Sequence, residues 1–383
     1  SLTFIRSGES TQSMDSVVIV GGGIIGTSVA FHLRDHPDVT VLEKNALGSG
    51  TTAASMGRFD WDVADPFGVF LQREAWRTYE PLVRDGVVDF ERSGYLRVAG
   101  TPDELERMRE RAALLGEYGL DFELLDADET AEHGVNPDAV SGGLYQASGG
   151  YLNQQDAVEY FAEGAREAGV AIETGTEVTD VLTDGGTVTA VETTDGRYTA
   201  DVVVNAAGPW APGLNELVDV SLPLRHTTGP ILVLEGDGPV SIPFLKNVDG
   251  DFYVRPEGGS KLLAGRRWGR YDEAPLLDPD DARGVDDRFR RDVAALSESH
   301  LPALEGAAVV NEWVGLRTVT PDFRPVVGPT ARDGFLVACG MSGSGVGLAP
   351  LVGRLVADHV DDGNGTLLRQ LSARRFGSGT APS

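Results

Sequence analysis

The first regular pattern along the chain is a strand followed by a helix and a second strand. Val17 to Val20 are four consecutive β-branched residues, which suit a buried strand. Residues 24–34, IIGTSVAFHLR, carry apolar side chains at helical spacing, and residues 39–45, VTVLEKN, predict the next strand. This order indicates a βαβ unit at the start of an α/β fold.

Helical and alternating patterns recur through the rest of the chain. Further helices are predicted over residues 68–85, 102–117, 154–168, 285–297 and 346–359. Alternating segments broken at two Asp-Gly turns predict a three-stranded meander that leads into a core strand at Val202 to Val204. Other predicted strands are a pair around Ser93-Gly94 in residues 87–99, and residues 223–236, 251–256 and 260–267. We expect a disordered tail after residue 372.

Three glycines follow the first strand with the spacing G-x-G-x-x-G. In such a turn Gly21 permits the bend, Gly23 lets backbone approach a pyrophosphate, and Gly26 lets the helix pack on the strand. A tight strand–helix turn without a ligand would show the same glycines. Glu43, however, ends the second strand about 20 residues later, where an acid accepts hydrogen bonds from ribose hydroxyls. Together these features predict a dinucleotide site at the helix N-terminus.

The charge of the chain excludes some partners. It carries 32 Lys and Arg against 59 Asp and Glu, a formal net charge of −27, which disfavours nucleic acid and anionic membranes. No apolar run reaches the roughly 18 residues of a membrane span. The lysines are Lys44, Lys246 and Lys261, and an acidic, lysine-poor surface favours a halophilic source. An ordinary acidic enzyme is the alternative.

The only cysteine, Cys339, rules out an internal disulfide and is typical of a reducing cytoplasm. No secretory signal pattern precedes the first strand, and Met14 is placed to be the natural start. We therefore expect a cytoplasmic protein.

Four segments give the chain a resemblance to a known family. They are VVIVGGGIIGTSVAFHL with LEK, LGSGTTAASMG, VVNAAGPWA, and GLRTVTPDFRPVVGP followed by CGMSGSGVGLAP. Together they resemble the FAD-dependent oxidoreductases of the D-amino acid oxidase, glycine oxidase and sarcosine oxidase superfamily, over residues 17 to about 360.

The resemblance implies an α/β fold with two domains. A Rossmann-like FAD-binding domain would be built from residues 14–60, 145–215 and 317–372. A substrate domain with a mixed or antiparallel sheet would comprise residues 61–144 and 216–316, and residues 1–13 and 373–383 would be disordered tails. No second G-x-G-x-x-G follows a strand, so a separate NAD(P)H site is not expected.

The cofactor residues follow from the same segments. Ser49, Thr51 and Thr52 can donate to phosphate, although their segment has the composition of a surface loop. Ala207 and Gly208 let a strand end pass the cofactor, with a structural turn as the alternative, and residues 339–347 predict a rigid loop before a helix instead of a flexible linker. The predicted FAD contacts are Gly21, Gly23, Ile24, Ile25, Gly26, Glu43, Lys44, Ser49, Thr51, Thr52, Ala54, Ser55, Met56, Val178, Ala206, Ala207, Gly208, Trp210, Arg317, Gly340, Ser342, Gly343, Ser344, Gly345, Val346 and Gly347. No metal site is predicted.

The resemblance implies that few side chains are needed for catalysis, because in such enzymes hydride leaves the substrate α-carbon for the flavin and the protein mainly holds the geometry. Arg317 matches the family position that clamps the substrate carboxylate, with a surface ion pair as its alternative. Tyr253 could donate to the same carboxylate or be a core aromatic residue. Arg58 and Arg267 are weaker candidates, since each could be a solvated arginine.

Departures from the relatives limit what can be carried over. Ala54 stands where some members attach FAD through histidine, and Gly315 where others use cysteine, so non-covalent FAD is predicted. The lysine that promotes reaction with oxygen in sarcosine oxidases corresponds to Leu263, with Lys261 on the same strand face, and their carboxylate-binding lysine corresponds to Gly347. Either O2 or another electron acceptor is therefore possible.

The resemblance implies oxidation of a small amino acid or N-methyl amino acid, by hydride transfer from the α-carbon, to an imine that hydrolyses. A 2-hydroxy acid dehydrogenase of the same superfamily is one alternative. A flavin-binding subunit of a larger electron-transfer complex is another. The chain could also form oligomers.

Overall fold

The computed structural model describes residues 16–63, 65–247, 252–266, 270–363 and 367–377. Met14, the expected tail over residues 1–13, Arg267 and residues 378–383 lie outside this described part. The strands are β1 Ser16–Val20, β2 Asp38–Glu43, β3 Arg58–Phe59, β4 Phe90–Glu91, β5 Tyr95–Ala99, β6 Glu123–Asp126, β7 Gly142–Gln146, β8 Gly150–Leu152, β9 Ala171–Thr174, β10 Val178–Asp184, β11 Thr187–Thr193, β12 Gly196–Thr199, β13 Val202–Asn205, β14 Arg225–Glu235, β15 Phe244–Asn247, β16 Phe252–Pro256, β17 Lys261–Arg266, β18 Ala308–Val319, β19 Val326–Pro329 and β20 Phe335–Cys339. The helices are α1 Ile24–His32, α2 Pro66–Arg84, α3 Pro102–Glu117, α4 Ala127–Thr130, α5 Gln154–Glu167, α6 Ala211–Glu216, α7 Asp287–His300, α8 Gly345–Asp362 and α9 Leu368–Leu371.

A six-stranded sheet in the order β19-β20-β13-β1-β2-β9 forms the centre of the first part of the molecule, and its strands are parallel except for β19. Its strands come from three separate parts of the chain, as the predicted α/β fold requires. Side chains of β1 alternate between two cores, because successive residues of a strand face opposite sides. Val17 and Ile19 pack with α1, α5 and α8, whereas Val18 and Val20 pack toward the meander of β10, β11 and β12.

An eight-stranded sheet in the order β18-β14-β17-β16-β15-β5-β7-β6 forms the second part of the molecule. Its neighbours are antiparallel except for β15 and β5, so the predicted mixed sheet is confirmed. One face is covered by α7, through Phe289 and Val293, and the other contributes to the cavity described below. The exact domain boundaries stay a prediction.

Two local expectations are wrong. The predicted strand pair in residues 87–99 does not form, because β4 pairs with β8 while β5 lies between β15 and β7. Gly94 at the expected turn bonds instead to Gly149 and Phe244, and so carries the chain from a three-stranded sheet, in the order β3-β8-β4, into the eight-stranded sheet. At the other end, residues 373–376 form a 3-10 turn in which Arg375 binds Asp322, so the chain is still ordered where the tail was expected to start.

Within the described ranges, no helix has the length and apolar character to cross a lipid bilayer. The same residues contain no cluster of histidine, cysteine and acidic side chains that could hold a metal ion.

Candidate active site

A cavity of about 590 Å³ lies between the ends of the six-stranded sheet and the face of the large sheet. The predicted positions that line it are Gly21, Gly23, Ile24, Ile25, Glu43, Lys44, Ser49, Thr51, Thr52, Ala54, Ser55, Met56, Arg58, Val178, Ala206, Ala207, Gly208, Trp210, Tyr253, Arg317, Gly340, Ser342, Gly343, Ser344, Gly345 and Val346. Gly26 and Gly347 do not line it. Gly26 faces the Gly21 carbonyl, and Gly347 faces Phe59, so both serve packing.

The glycine turn brings β1 close to the end of β13. Gly21 has a φ of +106°, and a Cβ there would lie 2.6 Å from the Ala206 carbonyl oxygen. A Cβ on Gly26 would lie 1.8 Å from the Gly21 carbonyl oxygen, so only glycine permits this contact between helix and turn. The N-terminus of α1 therefore points into the cavity, as expected for a phosphate site.

Hydroxyl groups beside this turn are not all available to a phosphate. Ser49 donates to the Ala46 carbonyl at 2.7 Å, and Thr51 donates to the Leu316 carbonyl at 3.2 Å. Thr52 Oγ1 accepts from the Ile24 N–H at 3.1 Å and donates to no described group, so its proton is free for a ligand. Of the three predicted hydroxyl donors, Thr52 is the one best placed to donate a hydrogen bond to a phosphate.

A carboxylate that the sequence did not predict lies beside the Glu43 end of the cavity and binds two of its lining residues. Glu43 accepts from the Gly22 and Asn45 N–H groups, each at 2.7 Å, which fixes its carboxylate. Asp280 accepts from Lys44 Nζ at 2.7 Å and from Trp210 Nε1 at 3.0 Å. These hydrogen bonds, that of Lys44 first, lower the pKa of Asp280. Lys44 also lies 4.2 Å from the Trp210 ring centre, so three distant segments meet here.

The loop between β20 and α8 is held rigidly. Gly340, Ser342 and Gly343 have φ values of +65°, +52° and +91°. Ser342 keeps this unusual backbone because its N–H donates to the Thr318 carbonyl at 2.9 Å and its Oγ accepts from the Thr320 N–H at 3.2 Å. Because Gly345 and Val346 line the cavity, the N-terminus of α8 faces it and can stabilise negative charge.

Arg317 and Tyr253 lie together over the cavity. Arg317 Nη2 donates to the Tyr253 hydroxyl oxygen at 2.7 Å, which leaves the hydroxyl proton available to a ligand. No carboxylate of the described residues lies within 4.0 Å of the Arg317 guanidinium, which lines the cavity. Two strand glycines make the room, since a Cβ on Gly229 would lie 2.9 Å from Arg317 Nη2 and one on Gly265 2.5 Å from the Tyr253 ring. Sequence reasoning missed both glycines.

A charged cluster, which we define as Arg58, Asp60, Asp62, Arg97, Arg111 and Lys246, lies at the same end of the cavity as Tyr253. Arg58, Arg97 and Lys246 line the cavity. Arg58 bonds to Asp60 at 3.1 Å, and 38% of its side chain is accessible although protein surrounds it, because it faces the cavity.

Asp62 is the buried centre of the charged cluster. It accepts from Arg97 at 2.9 Å, from the Tyr95 hydroxyl at 2.9 Å and from Arg111. Burial alone would raise the pKa of Asp62, but Arg97 and Arg111 lower it, so the carboxylate stays charged. The three groups that donate hydrogen bonds to Asp62 are Arg97, Arg111 and Tyr95, whereas Lys246 acts on it only at longer range.

Lys246 lacks such a partner. No carboxylate in the described part of the chain lies within 4.0 Å of its Nζ, which sits 5.9 Å from the Tyr95 ring centre. Burial, followed by repulsion from Arg58, lowers the pKa of Lys246 to about 7. Lys261, which the sequence analysis places on the strand face of the oxygen-activating lysine of sarcosine oxidases, is exposed at the start of β17 and does not line the cavity. Leu263 is buried in the sheet.

Ala54 and Gly315, the positions of covalent attachment in some relatives, are neighbours. A Cβ on Gly315 would lie 3.0 Å from the Ala54 Cβ. Neither residue carries a nucleophilic atom, so this contact offers no covalent bond to a flavin. These two positions therefore fit the predicted non-covalent binding of the flavin.

The donor set of the cavity fits a flavin dinucleotide. The acidic residues among its lining residues are Glu43 and Glu177, both at the end that holds Lys44 and Trp210. The remainder offers backbone N–H groups, hydroxyls and cations, which suit a diphosphate and an anionic substrate. Glu43 suits the ribose hydroxyls.

Comparisons with known proteins also point to a flavin-binding protein. The chain is 30% identical over 367 residues to the glycine oxidase of Geobacillus kaustophilus, which covers 90% of this chain and 92% of that enzyme. The solved structure of glycine oxidase from Geobacillus kaustophilus superimposes with a TM-score of 0.82 at 26% identity, over 94% of this chain and 98% of that one. Human mitochondrial dimethylglycine dehydrogenase is 27% identical over 95% of this chain, which spans only 44% of that protein. The family model described as FAD dependent oxidoreductase matches residues 16–359, and this chain belongs to that family of flavin enzymes.

Proposed function

We propose that this enzyme oxidises a small amino acid or N-methyl amino acid whose carboxylate binds Arg317 and Tyr253. The observation that carries the proposal is the cavity-facing guanidinium of Arg317, which has no described carboxylate partner and is aligned by Tyr253 at 2.7 Å. A planar guanidinium can bind a carboxylate bidentately, and the Tyr253 hydroxyl can donate a further bond. When bound, the flavin supplies a hydride acceptor.

The other cavity residues would hold the two reactants. Thr52 and the N-terminus of α1 would bind the diphosphate, and Glu43 the ribose. The loop of residues 340–344 and the N-terminus of α8 would lie against the flavin ring. Arg317 and Tyr253 would orient the substrate so that its α-carbon faces the ring, and the resulting imine would hydrolyse to an oxo acid and an amine.

The names of the relatives support this substrate class. Glycine oxidase and dimethylglycine dehydrogenase are named for a small amino acid and an N-methylated one. We extend the proposal to a reducing cytoplasm, supported by the buried free thiol of Cys339, and to either O2 or another electron acceptor.

Anaerobic mixing of the purified holoenzyme with candidate substrates tests the proposal. Loss of flavin absorbance with glycine, sarcosine or another amino acid is the expected result. Bleaching by 2-hydroxy acids alone would favour a hydroxy acid dehydrogenase. No bleaching by any member of either class would favour a flavin-binding subunit. Peroxide formation in air then separates an oxidase from a dehydrogenase.

A further inference from the structure

We propose that the substrate carries a second carboxylate, which binds Lys246 and Arg58 beside the Arg317–Tyr253 pair. The inference rests on the proposed function and narrows its substrate class to amino acids with two carboxylates. The second group could sit on the side chain, as in aspartate and glutamate, or on the nitrogen, as in iminodiacetate.

The register of the large sheet places the two carboxylate sites side by side. Tyr253 of β16 pairs directly with Lys246 of β15, and Lys246 pairs in turn with Arg97 of β5. Directly paired residues project from the same face of a sheet, and neighbouring strands lie about 4.8 Å apart. Lys246 is therefore one strand beyond Tyr253, on the side away from β18, which carries Arg317.

Among the described members of the charged cluster, cationic side chains outnumber carboxylates. Four cationic side chains, including Arg97 and Arg111, share the carboxylates of Asp60 and Asp62. Asp62 accepts hydrogen bonds from Arg97, Arg111 and Tyr95, and Asp60 binds Arg58. Lys246 is thus a cavity-lining cation without a described counter-ion.

A second carboxylate would remove this imbalance. Burial and the repulsion from Arg58 and Arg97 outweigh the attraction of the more distant Asp62 and Asp60, so the ammonium form of Lys246 is disfavoured and its pKa is lowered. A bound carboxylate would stabilise that form and would also meet the accessible surface of Arg58. A neutral amide of the same size would gain much less, because it brings no charge.

The test compares acids with their isosteric amides on the holoenzyme. Anaerobic flavin reduction is measured with both enantiomers of aspartate and asparagine and of glutamate and glutamine, and with iminodiacetate and its monoamide. At least one acid is expected to exceed its amide in kcat/KM by about 10- to 100-fold, as a charge-assisted bond predicts. Which pair shows the preference tells whether the second carboxylate lies on the side chain or on the nitrogen.

Variants identify the residue responsible. Lys246→Met is expected to bring the acid-to-amide ratio close to one, whereas Lys246→Arg keeps most of it because the charge remains. The matched control is Lys261→Met, at an exposed lysine on β17, two strands away from β15, and it should leave the ratio unchanged. Flavin content is measured for each variant, so that loss of the cofactor is not mistaken for loss of the subsite.

The outcomes separate this inference from the proposed function. Equal use of acids and amides by the wild-type enzyme would overturn the inference and leave the proposed function intact. An equal fall in kcat for every substrate in Lys246→Met would also overturn it, because that result indicates proton transfer. If no amino acid reduces the flavin, the proposed function fails, and the inference is then tested by the binding of dicarboxylates and monocarboxylates. Succinate and glutarate should then raise the melting temperature of the holoenzyme more than propionate and butyrate do, and Lys246→Met should abolish that difference; equal shifts would overturn the inference.

Discussion

Replacement of Arg317 by methionine should weaken substrate binding while the flavin stays bound. Methionine keeps the apolar part of the side chain and removes the guanidinium. The described partners of that group are the Tyr253 hydroxyl and, weakly at 3.5 Å, the Thr228 carbonyl. Neither belongs to the glycine turn or to Glu43, so cofactor affinity should depend little on this charge.

The magnitude follows from the hydrogen bonds lost. A charge-assisted bond contributes about 1.5–3 kcal/mol, and a bidentate clamp makes two. Tyr253 remains and retains one bond, so the loss should lie at the low end of that sum. We expect kcat/KM to fall roughly 100- to 1,000-fold, mainly through a higher KM.

Steady-state kinetics with the best substrate of the anaerobic screen measures this effect. Arg317→Lys should recover only part of the loss, because an ammonium cannot bind bidentately. Arg288→Met, at an arginine with 78% of its side chain exposed, is the control and should be normal. An unchanged KM in Arg317→Met, with the flavin still bound, would remove Arg317 from the substrate site.

Four further predictions concern the site and the stability of the fold. Gly265→Ala should lower kcat/KM at normal flavin content, because the new Cβ would lie 2.5 Å from the Tyr253 ring and displace it. If this variant kept the kinetics of the wild-type enzyme, the position of Tyr253 would not matter for catalysis. Acid precipitation should release all flavin into the supernatant, and a yellow pellet would contradict non-covalent binding. With a net charge of −27, the protein should melt at a higher temperature in molar KCl than in dilute buffer, and equal melting temperatures would contradict a halophilic source. Burial lowers the pKa of His32 from 6.5 to about 4, so the unfolded chain takes up the proton at a higher pH than the folded protein does. The free energy of unfolding should therefore fall by up to about 3 kcal/mol as the pH drops from 6.5 to 4. If the His32→Gln variant showed the same dependence of stability on pH as the wild-type protein, that assignment would be refuted.

Local sequence could predict the glycine turn because its requirement is local. The backbone conformation at Gly21 and the contact between Gly26 and the Gly21 carbonyl depend on residues a few positions apart. The helices and the meander were predictable for the same reason, since periodicity is a short-range signal. The wrong strand pair around Gly94 shows the limit of that signal, because strand partners are chosen by tertiary packing.

The missing parts of the site depend on contacts between distant segments. Asp280 lies 236 residues from Lys44, and nothing in its own segment marks it as a partner of Lys44 and Trp210. Lys246 is one of three lysines, and only the register of β15 against β16 places it beside Tyr253. Gly229 and Gly265 resemble ordinary strand glycines until the side chains that cross them are known.

The order of strands in the six-stranded sheet has a consequence for biosynthesis. β1 is made early, yet its neighbour β13 begins at Val202, and the next strand, β20, begins at Phe335. A nascent chain that has not reached β20 leaves the outer edge of β13 without its hydrogen-bonded partner, and it also lacks the loop and helix that would lie against the flavin ring. Acquisition of the yellow colour should therefore follow the synthesis of β20 and α8, and until then the emerging chain depends on protection of its open sheet edge.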